Sequence, residues 1–219
     1  GRGVVDLWGG VADADKRAPW QRDTMVCMMS VAKGISTLLV HMLADRKLID
    51  LDRPVAAYWP EFAQNGKADI PVKWALSRLA GVPIVDGLGR GAIYDWELMT
   101  NGIARQAPTF KPGTVRCYHT ATMGFILGEL IRRTTGKRLG EFLHDEVTQK
   151  FDIDYHIGLP AGHGRSIATM IPTQGNALNL AQANSDSPIG KAWAQLPLDE
   201  DFNSVAWREA EIPSANGHG

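Results

Sequence analysis

From Val31 to Leu43 the chain sets Val31, Ile35, Leu38, Leu39, Met42 and Leu43 at the three- and four-residue spacing of one helical face. The pattern ends near Arg46-Lys47, cations suited to a helix C-terminus. This is the longest amphipathic run of the sequence, and it commits the chain to a fold built around a buried helix. Ser30 stands at its start and Lys33 one turn in. Residues three apart on a helix share a face, so the lysine amine is within reach of the serine hydroxyl. A serine hydroxyl is a poor nucleophile until a neighbour takes its proton, and a partly desolvated lysine with a lowered pKa is one such base. The helix start adds unpaired N–H groups and a positive dipole end, both favourable to developing negative charge. The approach, Thr24-Met25-Val26-Cys27-Met28-Met29, reads as a short strand or extended lead-in that would hold the serine rigidly.

Eight serines and nine lysines in 219 residues give roughly 0.3 Ser-x-x-Lys pairs by chance, so the spacing gains weight only from its sequence context. Downstream come Leu48-Ile49-Asp50-Leu51-Asp52-Arg53-Pro54-Val55 and Tyr58-Trp59-Pro60-Glu61-Phe62. Then come Ala75-Leu76-Ser77-Arg78-Leu79-Ala80-Gly81-Val82-Pro83, and Lys111-Pro112-Gly113-Thr114 leading into Tyr118-His119-Thr120. In this order the segments resemble the serine β-lactamase and penicillin-binding-protein superfamily, and most of all the class C β-lactamase-related (family VIII) carboxylesterases. Arg78 stands where that family commonly has a histidine. The resemblance implies an α/β fold of the β-lactamase type, in which an antiparallel sheet flanked by helices is joined to a mostly helical domain. It also implies a site in which Ser30 is the nucleophile and Lys33 and Tyr118 share the acid and base work. A phenol near a lysine ammonium has its anion stabilised, so either group can relay the proton.

Two departures qualify the match. Thr120 stands where β-lactamases of this class keep an asparagine, whose amide both donates and accepts hydrogen bonds. A substrate-binding threonine there turns the expectation from β-lactams toward simpler esters. The family's third motif, a Lys/His/Trp-x-Gly triplet, has no copy here, and Asn216-Gly217-His218-Gly219 resembles instead the loop before a later helix. Gly1 to Gly10 reads as the middle of an opening hairpin. The sequence is therefore expected to be a fragment, with much of the sheet and one oxyanion donor outside it, and to be weakly active or inactive by itself. Residues 1–50 are read as a partial α/β domain carrying the nucleophile helix, and residues 51–219 as a mainly helical domain carrying the Tyr118 motif.

The composition, 44% hydrophobic and 21% charged, is that of a globular chain able to enclose a core. A net charge of −1 argues against nucleic acid as a partner. No run approaches the ~18 apolar residues of a membrane span. The partner expected is a small-molecule ester or β-lactam-like substrate, with oligomeric state and compartment unspecified. Cys27 and Cys117 are too few for a disulfide scaffold, and lie beside Ser30 and Tyr118 in sequence. His41, His119, His144, His156, His163 and His218 show no zinc spacing, and no phosphate-binding glycine loop is present, so neither metal nor cofactor is expected.

Beyond the nucleophile helix, a strand is expected over Val4–Trp8 and helices near 70–79, 92–104, 120–135, 138–149, 174–184 and 203–210. The nucleophile elbow of α/β-hydrolases is absent, the nearest miss being Gly164-Arg165-Ser166-Ile167-Ala168. The favoured function is a carboxylesterase working through an acyl-enzyme. β-Lactam or D-alanyl peptide hydrolysis, acyl transfer to an alcohol, and a catalytically inactive binding relative are the alternatives.

Overall fold

The computed structural model describes residues 2–164, 166–171, 186–195 and 202–219. Two short strands, β1 (Val11–Asp13) and β2 (Ala18–Pro19), pair antiparallel. The strand expected over Val4–Trp8 does not form: Val4 and Leu7 are almost fully exposed. A strand needs both a ladder partner and a covered face, and the described residues offer this segment neither.

Helix α1 (Val31–Asp45) follows the lead-in, then α2 (Val72–Leu76), α3 (Trp96–Arg105) and α4 (Thr122–Thr135). The segment expected as one helix over 138–149 forms α5 (Leu139–Leu143), a π turn (His144–Thr148) and α6 (Gln149–Phe151) in unbroken succession. After β3 (His156–Ile157) come α7 (Pro188–Ala194), α8 (Val205–Glu209) and β4 (Gly217–His218). The helix expected near 174–184 lies outside the described residues. Local chemistry sets several ends. Asp95 accepts the Leu98 N–H (2.9 Å) at the start of α3, Ser204 accepts that of Trp207 (3.1 Å) in α8, and Gly136 closes α4 at φ 75°.

The buried face of α1 keeps Leu39 and Leu43, with Ile35 and Met42 packed against the core, but is turned away from Val31 and Leu38. Val31 and Leu38 are exposed at 48% and 47%, whereas Ala32, Lys33, Ser36, Leu39, Val40 and Leu43 are buried. The helix is turned so that small and polar side chains face inward, because α4 and the 213–215 segment press close against that side. Gly124 of α4 permits the approach: a Cβ there would lie 2.5 Å from the Ser214 backbone nitrogen. The core then runs from Leu39 and Leu43 across Phe125, Ile126 and Leu130 to Trp59, Ile103 and Trp207. Buried Glu129 ties α3 to α4, accepting from Trp96 Nε1 (3.0 Å) and pairing with Arg132 and Arg133.

The lead-in to α1 is an extended segment held on both edges. Met25 N–H donates to the Ser166 carbonyl (3.0 Å), and Ala168 N–H donates to that of Met25 (2.8 Å). On the other side Val26 and Met28 N–H donate to Gly219 and Gly217 (3.0 and 2.8 Å), and β4 in turn pairs with β3. A ragged sheet of short segments thus fixes the residues that precede Ser30.

Candidate active site

Ser30 caps the N-terminus of α1 and is exposed. Met29, immediately before it, adopts φ 46°, a left-handed conformation rare for a side chain of its size. The kink turns the clamped lead-in sharply into the helix and leaves the hydroxyl at the surface. The Ser30 N–H meets no acceptor among the described residues.

Two side chains converge on the hydroxyl. Tyr118 OH lies 2.6 Å from Ser30 Oγ, and Lys33 Nζ lies 3.2 Å from it. Lys33 also donates to the carbonyls of Thr120 (2.8 Å) and Ser214 (2.7 Å), and its nitrogen sits over the Tyr118 ring, 4.7 Å from the centroid. Burial, and secondarily the Arg78 charge, lowers the lysine to about 7. Near neutrality a large share of it is the free amine. Lys33 Nζ is thus set among three oxygens, two carbonyls and the serine hydroxyl, and the hydroxyl is met by an N–H of the ammonium or, once the proton is lost, by the lone pair of the amine.

The second carbonyl comes from far along the chain. Ser214 Oγ donates to the Ala121 carbonyl (2.7 Å), and Ser36 Oγ, also on the inner face of α1, lies 2.6 Å from the Pro213 carbonyl. Asn216 steadies the same turn, its Oδ1 accepting the Ile212 N–H at 3.1 Å.

Tyr118 is positioned by its neighbour. His119 is buried, takes the Val82 N–H on Nε2 (3.1 Å) and donates from Nδ1 to the Cys117 carbonyl (2.8 Å). Burial, reinforced by the Arg78 and Lys33 charges against the pull of the Cys117 carbonyl, brings His119 to about 4, so it stays neutral and doubly bonded at neutral pH. Thr122 Oγ1 donates to the Val82 carbonyl (2.7 Å), which completes the clasp between this segment and the 78–82 turn.

Arg78 ends α2. Leu79 N–H returns to the Trp74 carbonyl (2.8 Å), and Arg78 itself adopts φ 63° at the position where glycine usually closes a helix. Its guanidinium carbon stands 5.7 Å from the Tyr118 ring centroid, so both Lys33 and Arg78 flank the phenol. A cleft of about 370 Å³ opens in front of these groups, walled by Leu76, Met123, Thr37 and Arg78, with no acidic side chain among the described residues that line it. A wider cleft of about 540 Å³ between α5 and β3 contains none of Ser30, Lys33, Tyr118 or Thr120.

Ser30, Lys33 and Tyr118 therefore meet at one point. Thr120 is 6% exposed and reaches the site through its carbonyl, which the lysine engages. Cys27 is buried and Cys117 half-buried, both as free thiols. Beyond these, His119 and Ser214 support the site, neither being among the expected catalytic or binding residues. His119 lies inside the Tyr118-His119-Thr120 motif and was legible as a neighbour, but Ser214 carries no local signal at all.

The β-lactamase family model matches residues 1–218. The chain belongs to that family. Esterase/beta-lactamase LipL of Mycobacterium tuberculosis is 34% identical over 99% of this chain and 53% of its own length. A crystal structure of a family VIII carboxylesterase shares 40% identity at TM-score 0.85, covering 99% of this chain and 57% of the other. A penicillin-binding-protein homolog from Caulobacter crescentus shares 32% identity at TM-score 0.83, over 96% of this chain and 56% of the other. This member of the β-lactamase family spans about half the length of the curated relatives it matches. The β-lactamase-like fold is thus represented here by its helices and small strands.

Proposed function

We propose that this chain carries the nucleophile, base and phenol of a serine carboxylesterase that acts on small esters through an acyl-enzyme. The observation that supports it most is the meeting of Tyr118 OH and the carbonyl-held Lys33 amine at Ser30 Oγ, 2.6 and 3.2 Å away. In this reading the Ser30 hydroxyl gives its proton to the Lys33 lone pair as Oγ bonds to the substrate carbonyl carbon. The Ser30 N–H, unclaimed by the described residues at the helix start, faces the oxyanion. The tetrahedral species collapses as the alcohol departs with a proton relayed through Tyr118. Water then adds to the acyl-serine, losing its proton to the same pair and releasing the acid. Lys33 Nζ and the Arg78 guanidinium carbon lie 4.7 and 5.7 Å from the Tyr118 ring centroid, so two cationic side chains border the relay.

Ester rather than β-lactam as substrate rests on Thr120 in place of an asparagine amide, and on the likeness to a family VIII carboxylesterase, while the esterase/beta-lactamase relative carries both names. The penicillin-binding-protein likeness keeps β-lactam-like substrates as the second reading. We also keep the division into a partial α/β part over residues 1–50 and a mainly helical part over 51–219. The chain on its own is expected to be weakly active or inactive, with Ser30 N–H the oxyanion donor that the described residues provide. The test is labelling of the chain with a fluorophosphonate, followed by peptide mapping. An adduct on Ser30 that disappears in Ser30→Ala supports the reading, and an adduct that persists in the variant refutes it. In the full-length protein, p-nitrophenyl butyrate should be hydrolysed faster than a chromogenic cephalosporin, and the reverse order would overturn the ester preference.

A further inference from the structure

Asp154, His156 and His163 gather at the far edge of the small sheet, away from the Ser30 cleft. Asp154 Oδ1 lies 2.9 Å from His156 Nε2 and 3.5 Å from His163 Nε2. The two imidazoles stand edge to face, centroids 5.1 Å apart. One ligand atom from each residue falls within 4.8 Å of the other two. Around a tetrahedral zinc with bonds of 2.0–2.1 Å, neighbouring donor atoms are about 3.3 Å apart, so the measured separations bracket the spacing such an ion requires.

The positions are built into the fold. Asp154 and His156 are two apart on extended chain, which sends both side chains to one face. His156 lies in β3, whose ladder to β4 is continuous with the segment leading to Ser30. His163 comes from the loop beyond Gly158, which returns through Leu159 N–H to the Arg208 carbonyl (2.8 Å) and His163 N–H to that of Pro160 (3.1 Å). The cluster is open to solvent on one side: the side chains are 39%, 19% and 12% exposed for Asp154, His156 and His163. Two imidazoles and one carboxylate form a donor set of intermediate softness, suited to zinc and its first-row divalent neighbours and poorly suited to magnesium or calcium.

We propose that Asp154, His156 and His163 form a binding site for a divalent transition-metal ion, zinc foremost, with a further coordination position open to water. The ion clips the 158–163 loop onto β3 and so braces the sheet edge behind the nucleophile's lead-in. It takes no part in the Ser30 chemistry. The spacing of these residues in sequence, Asp-x-His followed seven positions on by a second histidine, matches no zinc motif, and the fold alone unites them.

Zinc chloride titrated into the metal-stripped chain, followed by calorimetry and elemental analysis, tests this. Binding of one ion per chain is expected, with Kd on the order of 1 μM or tighter. His156→Ala and His163→Ala should each weaken binding by about 100-fold or more, and Asp154→Asn by about 10-fold or more. His144→Ala, at a surface histidine beside Asp145, should bind as the parent does. Cobalt(II) added to the parent chain should give a tetrahedral d–d spectrum that zinc abolishes, a readout that does not depend on any variant folding. Fluorophosphonate labelling of Ser30 should survive removal of the metal, which separates this site from the proposed activity. No zinc uptake and no cobalt spectrum in the parent, or undiminished binding in His163→Ala, would overturn the proposal.

Discussion

Two lysines are buried among the described residues, and they differ in their third partner. Lys67 is wholly enclosed and donates to the carbonyls of Gln64 (2.8 Å), Ala104 (3.0 Å) and Gln106 (2.5 Å). Those three acceptors saturate an ammonium. Lys33 has two carbonyls and, in the third direction, a serine hydroxyl. Both are lowered by burial, Lys67 to about 8 and Lys33 to about 7, and only Lys33 is lowered further by a neighbouring cation, Arg78. Burial alone therefore does not make a lysine a base. A base also needs a neighbour whose proton it can take, and in the proposed function α1 provides it by setting the Ser30 hydroxyl 3.2 Å from Lys33 Nζ.

Exchanging each lysine for methionine should separate these roles. Lys33→Met should cut the rate of Ser30 labelling by about 10²- to 10⁴-fold, the usual range for loss of a positioned base. Lys67→Met should leave labelling within about 3-fold of the parent while costing about 2–4 kcal/mol of stability, since three buried carbonyls lose their donor. Labelling rates measured on folded protein, and urea denaturation midpoints, check the pair. Equal losses of labelling in the two variants would erase the distinction.

Stability against pH offers a finer comparison. Between about 7 and 10.5 an unfolded Lys33 holds a proton that the folded one has released, so stability rises with pH across that window. For Lys67 the same rise begins only near 8. Lys33→Met should therefore flatten the slope between pH 7 and 8, where Lys67→Met leaves it intact. A smaller effect is expected from Arg78→Leu. Removing a charge that disfavours the ammonium should move the acid limb of the labelling profile to higher pH by less than about one unit. A shift to lower pH would show that Arg78 acts on the site by some other route.

How much of the molecule was legible in the sequence depends on how local each feature is. The start of α1, the Ser30–Lys33 pair and the helices α3 and α4 are set by short-range patterns, and they form close to where those patterns put them. The buried face of α1 is legible in Leu39 and Leu43 but extends to Ala32 and Ser36, too small to register as core, and their smallness is what lets α4 and Ser214 come near. Tyr118 was found through its motif, but the carbonyls that hold Lys33 belong to the backbones of Thr120 and Ser214, 87 and 181 residues away. No side-chain pattern records a backbone acceptor. The cluster of Asp154, His156 and His163 escaped notice for the same reason, since a loop return creates it.

The central claim is that burial beside Ser30 lowers Lys33 to about 7, so that a large share of it is free amine at physiological pH. Side-chain NMR of ¹³C,¹⁵N-lysine-labelled protein, tracking Cε and Nζ shifts through a pH titration, measures this directly. The account predicts one resonance with a midpoint near 7 that vanishes in Lys33→Met, distinct from another near 8 that vanishes in Lys67→Met. A Lys33 midpoint close to its ordinary value of 10.5 would contradict it.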